Sequence, residues 1–382
     1  MPNSLRVFWQ RISEGIEIQQ LWAQFHSDAR ATYELYSKEV DSTLPKENES
    51  RWKQSLAVIR GLFWAMMMKL SPARRVMLLI ALALLTFSIF SFRYEDAGIE
   101  FQTQPLAFWG GIALLILLAL ELSDRVMMKR DLEIAREIQN WMMPAVPPAI
   151  PGVDIAFASR AANTVAGDYY DAFFRPTAGE SDATSLAPRA ERLLLVVADV
   201  AGKSVPAALL MATLQASLRT LAGLPISLLE LVGRLNRYIC GQNLGGRRFT
   251  TAFLAELEPA TGCLTYVNAG HNWPVLRRST GMIERLEIGG LPFGIRPEAQ
   301  YERGSISLTS GDLLLIFTDG LIEAEDEKAQ EFGESKMLGI VDTVFGKNSV
   351  DILDRLMVSV DAFVGFARQH DDITCMVLRI SN

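Results

Sequence analysis

Hydrophobic and polar positions divide this 382-residue chain into three regimes. The first repeats apolar residues at helical spacing. Trp9, Ile12 and Ile16 share one face, and Ile18, Leu21, Trp22 and Phe25 continue the stripe. A polar break at residues 41–50 interrupts it, and Trp52, Leu56, Ile59 and Phe63 resume it. The pattern predicts a helical segment over residues 1–70 that packs on itself. This reading is preferred to an amphipathic element lying on a membrane surface, which the interspersed Arg51, Lys53, Arg60 and Lys69 also suit.

The second regime is uniformly apolar. Val76 to Phe92 is a run of 17 residues without charge, and Phe101 to Leu120 is a run of 20. At helical rise these are about 25 Å and about 30 Å long, which is bilayer thickness. Residues 71–121 are therefore expected to form a hairpin of two transmembrane helices. Lys69, Arg74 and Arg75 precede it, and Arg125, Lys129 and Arg130 follow it. Glu95, Asp96 and Glu100 occupy the connection. The positive-inside rule then places both termini in the cytoplasm. Residues 122–150 read as a linker. Leu132, Ala135, Ile138 and Met142 share one helix face, a candidate lever and homodimer seam, before four prolines between Met143 and Pro151 end the helix.

The third regime, residues 151–382, alternates short apolar strands with glycine turns. Strands are expected at Val153–Arg160, Tyr169–Arg175, Leu193–Val197, Thr250–Leu257, Cys263–Asn268, Pro274–Arg278, Ile283–Leu286, Ser305–Leu308, Leu313–Thr318 and Ile373–Ile380, with a hairpin tip at 176–192. Helices are expected from Pro206, near Leu228–Ile239 and at Asn348–Arg368. Runs of strands with few helical insertions predict an α/β domain built as an antiparallel β-sandwich flanked by helices, not a parallel doubly wound sheet.

Composition narrows the function. A hydrophobic share of 49% agrees with membrane segments, and a formal charge of −7 excludes the basic footprint of a nucleic-acid binder. Cys240, Cys263 and Cys375 form no paired spacing and suit a reducing compartment. With only His26, His271 and His370, a multi-histidine zinc site is not expected. Gly202-Lys203-Ser204 looks like the end of a phosphate-binding loop, but Val197 stands where that motif needs glycine.

The chemistry is expected in four acids at strand ends or turns: Asp168, Asp199, Asp319 and Asp371. One Asp-Gly turn carries no signal. Four in one domain suggest oxygen ligands for hard divalent cations, which in pairs activate water and clamp a phosphoryl group.

The blocks Glu133–Gln139, Ala166–Asp171, Ala198–Lys203, Tyr266–Asn272, Leu291–Ile295, Gly311–Gly320 and Asp371–Thr374, in this order, resemble the metal-dependent PPM-type protein serine/threonine phosphatases. The likeness is to their bacterial SpoIIE- and RsbU-like branch, over residues 131–382. The resemblance implies the PPM phosphatase fold, with two Mn²⁺ or Mg²⁺ ions between its sheets. Asp199 would bridge the ions, the Val200 carbonyl would add a ligand, and Asp168, Asp319 and Asp371 would complete the site. Asp168 and Asp199 are then the catalytic acids, and Asp372 ranks below Asp371. It also implies direct hydrolysis of phosphoserine or phosphothreonine without a phosphoenzyme. The implied substrate is a phosphorylated anti-sigma-factor antagonist of STAS type, and the implied place is the inner membrane of a bacterium. Lys203 is expected to be a solvated turn residue, and His271 a supporting or core residue. Two positions depart from relatives. Ala166 replaces a glycine, tolerable unless φ is positive there, and Ser204 replaces a glycine and is expected to cap the next helix. The competing readings are a membrane-bound pseudophosphatase that binds a partner without catalysis, and a purely structural membrane protein.

Overall fold

The computed structural model describes residues 60–61, 63–64, 67–89, 93–94, 99–100, 104–176, 191–242 and 248–381. The helical expectation for residues 1–59 and most of the expected hairpin tip, 177–190, lie outside the described residues. The chain forms two compact units, residues 1–127 and 128–382.

In the first unit, helix α1 (Pro72–Ile89) is followed by a two-strand ribbon, β1 (Arg93–Tyr94) and β2 (Ile99–Glu100), and by the start of helix α2 (Gln104–Met142). Gly110 of α2 sits so close to α1 that an added Cβ would lie 3.0 Å from Leu85 Cγ and 3.1 Å from the Ala81 carbonyl. Small residues at such a crossing let apolar helices pack by shape alone. The helices are pinned at one end, where Arg74 Nη1 donates to Glu121 (3.2 Å) and Asp124 (2.6 Å). Leu79, Phe87, Phe108, Leu115 and Leu118 are exposed.

The second unit holds β3 (Val153–Arg160), β4 (Tyr169–Pro176), β5 (Glu191–Val200), helices α3 (Ser204–Ala222) and α4 (Leu228–Gln242), then β6 (Thr250–Glu258) and β7 (Cys263–Ala269). It continues with β8 (Val275–Arg277), β9 (Ile283–Arg285), β10 (Gly289–Gly290), β11 (Gly304–Ser307) and β12 (Leu313–Phe317). It ends with helices α5 (Asp319–Ile322), α6 (Glu334–Val344) and α7 (Ser349–Val364), and with β13 (Ile373–Ile380). One sheet runs β10-β7-β6-β5-β4 with β11 also on β7; the other runs β3-β13-β12-β8-β9. The strand pairings are antiparallel, as expected of this sandwich, except β10 with β7, which is parallel.

The sheets stack with their strands apolar on both faces, which is why β5 reads as an unbroken hydrophobic run. Leu193, Leu195 and Val197 of β5 meet Leu314, Ile316, Met376 and Leu378 of the other sheet. The alternate residues Leu194, Val196 and Ala198 pack under α3 and α4. On the far side, Leu313, Leu315 and Val377 pack under α6 and α7. Three described helices are long and apolar enough to cross a membrane: α1, α2 and α3. In α3 that character comes from a packing stripe, since Ala207, Met211, Leu214, Leu218 and Ala222 are buried against the sheet.

Candidate functional site

The four acids arise at one end of the two sheets because of register. Tyr169 pairs with Ala198, so the preceding Asp168 falls opposite Asp199. On the other sheet Phe317 pairs with Cys375, so the next residues on β12 and the residues before β13 bring Asp319 and the Asp371-Asp372 pair to the same end. Thr318 spans the gap: its Oγ1 donates to Asp168 Oδ2 at 2.9 Å and accepts from Thr374 N at 2.9 Å. Gly320 follows Asp319 because the chain grazes its neighbour there; a Cβ would lie 2.0 Å from the Asp372 carbonyl.

Burial and crowding raise Asp168, Asp199 and Asp319. Asp168 is held well above the usual carboxylate range, first by burial and then by the charge of Asp199. Asp199 is pushed up to about 7 by burial and by the charges of Asp319 and Asp371, and it shares a hydrogen bond with Asp168. Burial, then Asp371, raises Asp319. Such a cluster stays compact only by keeping protons or by gaining cations. Hard carboxylate oxygens from two sheets are a donor set that suits Mg²⁺ or Mn²⁺. Among the described residues no group of three or more His, Cys, Asp or Glu side chains is already arranged as a metal-ligand set. Asp168, Asp371 and the adjacent Asp372 have protein partners instead.

Those partners separate Asp371 from Asp372. Asp372 accepts from Ala162 N (2.7 Å) and Gly167 N (2.6 Å), so it clamps the loop before Asp168. Asp371 is half exposed and pairs with Lys203 at 3.0 Å. Lys203 is a half-exposed turn residue, as expected, that pairs with Asp371 and with Gly320 and Glu323 lines a polar cavity of about 140 Å³. Val200 is buried, and its carbonyl lies 3.2 Å from where a Gly167 Cβ would be. A side chain at position 167 would crowd that oxygen.

Ser204 does not cap α3. The N-cap is Lys203, without a side-chain hydrogen bond, and Ser204 is the first helical residue, at φ +63°. A glycine would suit this position better, since left-handed backbone disfavours a Cβ. Ala166 is not among the residues with positive φ, so its departure is tolerated.

The contact made by Gln139 escapes a reading of the sequence. Its side chain is buried, donates to the Ala166 carbonyl (2.7 Å) and accepts from Ala166 N (2.9 Å). Its signals in the sequence are its place at the end of the block Glu133–Gln139 and on the otherwise apolar side of the linker helix.

The SpoIIE family (Stage II sporulation protein E) matches residues 189–381, half of the chain. Asp199, Val200, Asp319 and Asp371 fall inside that stretch and Asp168 before it. The chain is similar to protein IcfG of Synechocystis sp., 26% identical over 288 residues, covering 69% of this chain and 43% of that protein. It is similar to the phosphoserine phosphatase RsbU of Bacillus subtilis, 28% identical over 259 residues, covering 66% of this chain and 70% of that one. The chain thus spans less than half of IcfG. The SiaA-PP2C domain of Pseudomonas aeruginosa has the same fold, with a TM-score of 0.56 at 17% identity, covering 67% of this chain and 98% of that domain.

Proposed function

The chain belongs to the SpoIIE family, and on that premise we propose that it is a membrane-tethered, metal-dependent phosphatase of phosphoserine and phosphothreonine in a protein. The observation that carries this reading is the meeting of Asp168, Asp199, Asp319 and Asp371 at one sheet end, with Asp199 raised to about 7. These acids and the Val200 carbonyl would hold two Mn²⁺ or Mg²⁺ ions. When bound, such ions neutralise the carboxylates, polarise the phosphoryl group and acidify water. Asp168 and Asp199, both raised by burial, would be the groups that hold a proton where no cation is bound. Thr318 keeps Asp168 facing the opposite sheet. Lys203, at the rim, offers positive charge to an incoming phosphoryl group.

The similarity to RsbU supports a phosphorylated anti-sigma-factor antagonist of STAS type as substrate. The exposed apolar faces of α1 and α2 support two spans in a bacterial inner membrane. Gln139 supports control through the linker helix, because it grips the backbone two residues from Asp168. The same helix is our candidate homodimer seam through the exposed Ile138, since Gln139 and Met142 face the domain.

The test is hydrolysis of an aryl phosphate and a phosphoserine peptide, with and without Mn²⁺, by the chain and by Asp199→Asn. Mn²⁺-dependent turnover that the substitution abolishes is expected. Equal turnover in both proteins would sink the metal mechanism, and Mn²⁺ binding without turnover would favour a partner-binding pseudophosphatase.

A further inference from the structure

His271 is neither one of the four acids nor a group that meets the phosphate, yet it lies between the two sheets at the acid-bearing end. It follows β7 in Asn268-Ala269-Gly270-His271. Gly270 makes the turn at φ +67°, where a Cβ would overlap the Pro292 ring. Asn268 fixes the backbone beyond that turn: its Oδ1 accepts from His271 N at 2.7 Å, and its Nδ2 donates to the Leu286 carbonyl at 3.1 Å. The imidazole is 3% exposed.

Its two ring nitrogens face different sheets. Nδ1 lies 3.2 Å from Thr251 Oγ1, and Thr251 is the register partner of Asp199. Nε2 is buried and faces the Phe317 carbonyl, without a hydrogen bond of normal geometry. Phe317 ends β12, two residues before Asp319. Burial pushes the imidazole down to about 4, so it is neutral near pH 7. A neutral ring has one acceptor and one donor. With the Thr251 hydroxyl donating to Nδ1, the proton sits on Nε2 and is directed at the Phe317 carbonyl.

We infer that His271 is a positioning residue that sets the spacing between Asp199 on one sheet and Asp319 on the other. This rests on the metal-site reading. A pair of ions needs carboxylates from both sheets at a fixed separation, and residues supporting ligands govern metal affinity as ligands do. His271 touches neither ion nor substrate; it acts through Thr251 and the end of β12.

The experiment measures Mn²⁺ stoichiometry and affinity calorimetrically on the full chain in detergent. Wild type, His271→Ala, Thr251→Val and a core control, Val341→Ala, are compared, with thermal melting of each. Wild type is expected to bind two Mn²⁺. His271→Ala and Thr251→Val are expected to weaken binding about tenfold or more, and to act non-additively when combined. They should lower kcat more than they raise KM. Val341→Ala should lower the melting temperature and leave Mn²⁺ affinity alone. Wild-type affinity in folded His271→Ala overturns the inference. If His271→Ala does not fold, Thr251→Val decides: it removes only a hydroxyl, and unchanged affinity there overturns the inference equally. A wild-type chain that binds no Mn²⁺ refutes the metal-site reading itself, and this inference with it.

Discussion

Asp199 connects protonation to metal binding in a way that fixes a sign. Its folded pKa of about 7 lies above the roughly 3.9 of an unfolded aspartate. Between those values the folded chain holds more protons than the unfolded one, so stability falls as pH rises through that window. Above pH 7 the penalty is complete. A divalent cation held by Asp199, as we propose, would remove it by replacing the proton. Mn²⁺ should therefore raise the melting temperature more at pH 8 than at pH 5.5, and equal gains at the two pH values would contradict this account. Ser204 yields a second expectation at this scale. Its φ of +63° costs an L-residue about 1–2 kcal/mol that glycine avoids. Ser204→Gly should stabilise the chain by about 1 kcal/mol in urea unfolding, after its own flexibility cost is subtracted. Asp168, Asp199, Asp319 and Asp371 could be read from the sequence because each ends an apolar run or opens a turn. Gln139, Thr318 and the Thr251–His271 contact could not. Each works through a partner distant along the chain, such as Ala166 from Gln139 or Asp168 from Thr318, and no local spacing encodes that.

Elements were legible in proportion to the regularity of their pattern. Strand β13 has the predicted bounds, Ile373–Ile380, because it is a clean apolar run paired on both sides. Helix α6 was missed. Its buried residues Met337, Val341 and Val344 have helical spacing, but Gly339 and the β-branched Ile340, Val341, Thr343 and Val344 blur the signal. Packing against α7 in the core outweighs that weak propensity. Two-residue strands such as β10 have too little sequence to carry a period. One buried charge joins several elements. Arg175 of β4 donates to Glu256 of β6 at 2.7 Å, and to the carbonyls of Leu224 and Ile226 between α3 and α4. Removing Arg175 leaves the buried Glu256 with Arg192 Nη1, at 3.5 Å, as its remaining cation, and strips the Leu224 and Ile226 carbonyls of their donor. Arg175→Leu should thus cost about 3 kcal/mol, read as a lower urea midpoint at unchanged slope. A loss under about 0.5 kcal/mol would show the pair to be replaceable.

At the scale of the whole molecule, two kinds of surface coexist in one chain. The domain over residues 128–382 buries its apolar strands between layers, whereas α1 and the first part of α2 expose Leu79, Phe87, Phe108, Leu115 and Leu118. Water would penalise that surface and lipid would not. Helix α3, matched by composition as a span, belongs to the first kind because its apolar stripe is already covered. The division makes a direct prediction. The full chain should sediment with membranes, resist alkaline carbonate, and be released by detergent. Residues 128–382 produced alone should remain in the supernatant and keep Mn²⁺-dependent phosphatase activity, since all four acids and both sheets are retained. Their basal rate should differ from that of the full chain, because Gln139 would sit on a helix no longer continued by residues 104–127. A full chain that washes off in carbonate would refute the spans. A truncated protein that still pellets with membranes would point to α3 or another face of the domain as a second contact.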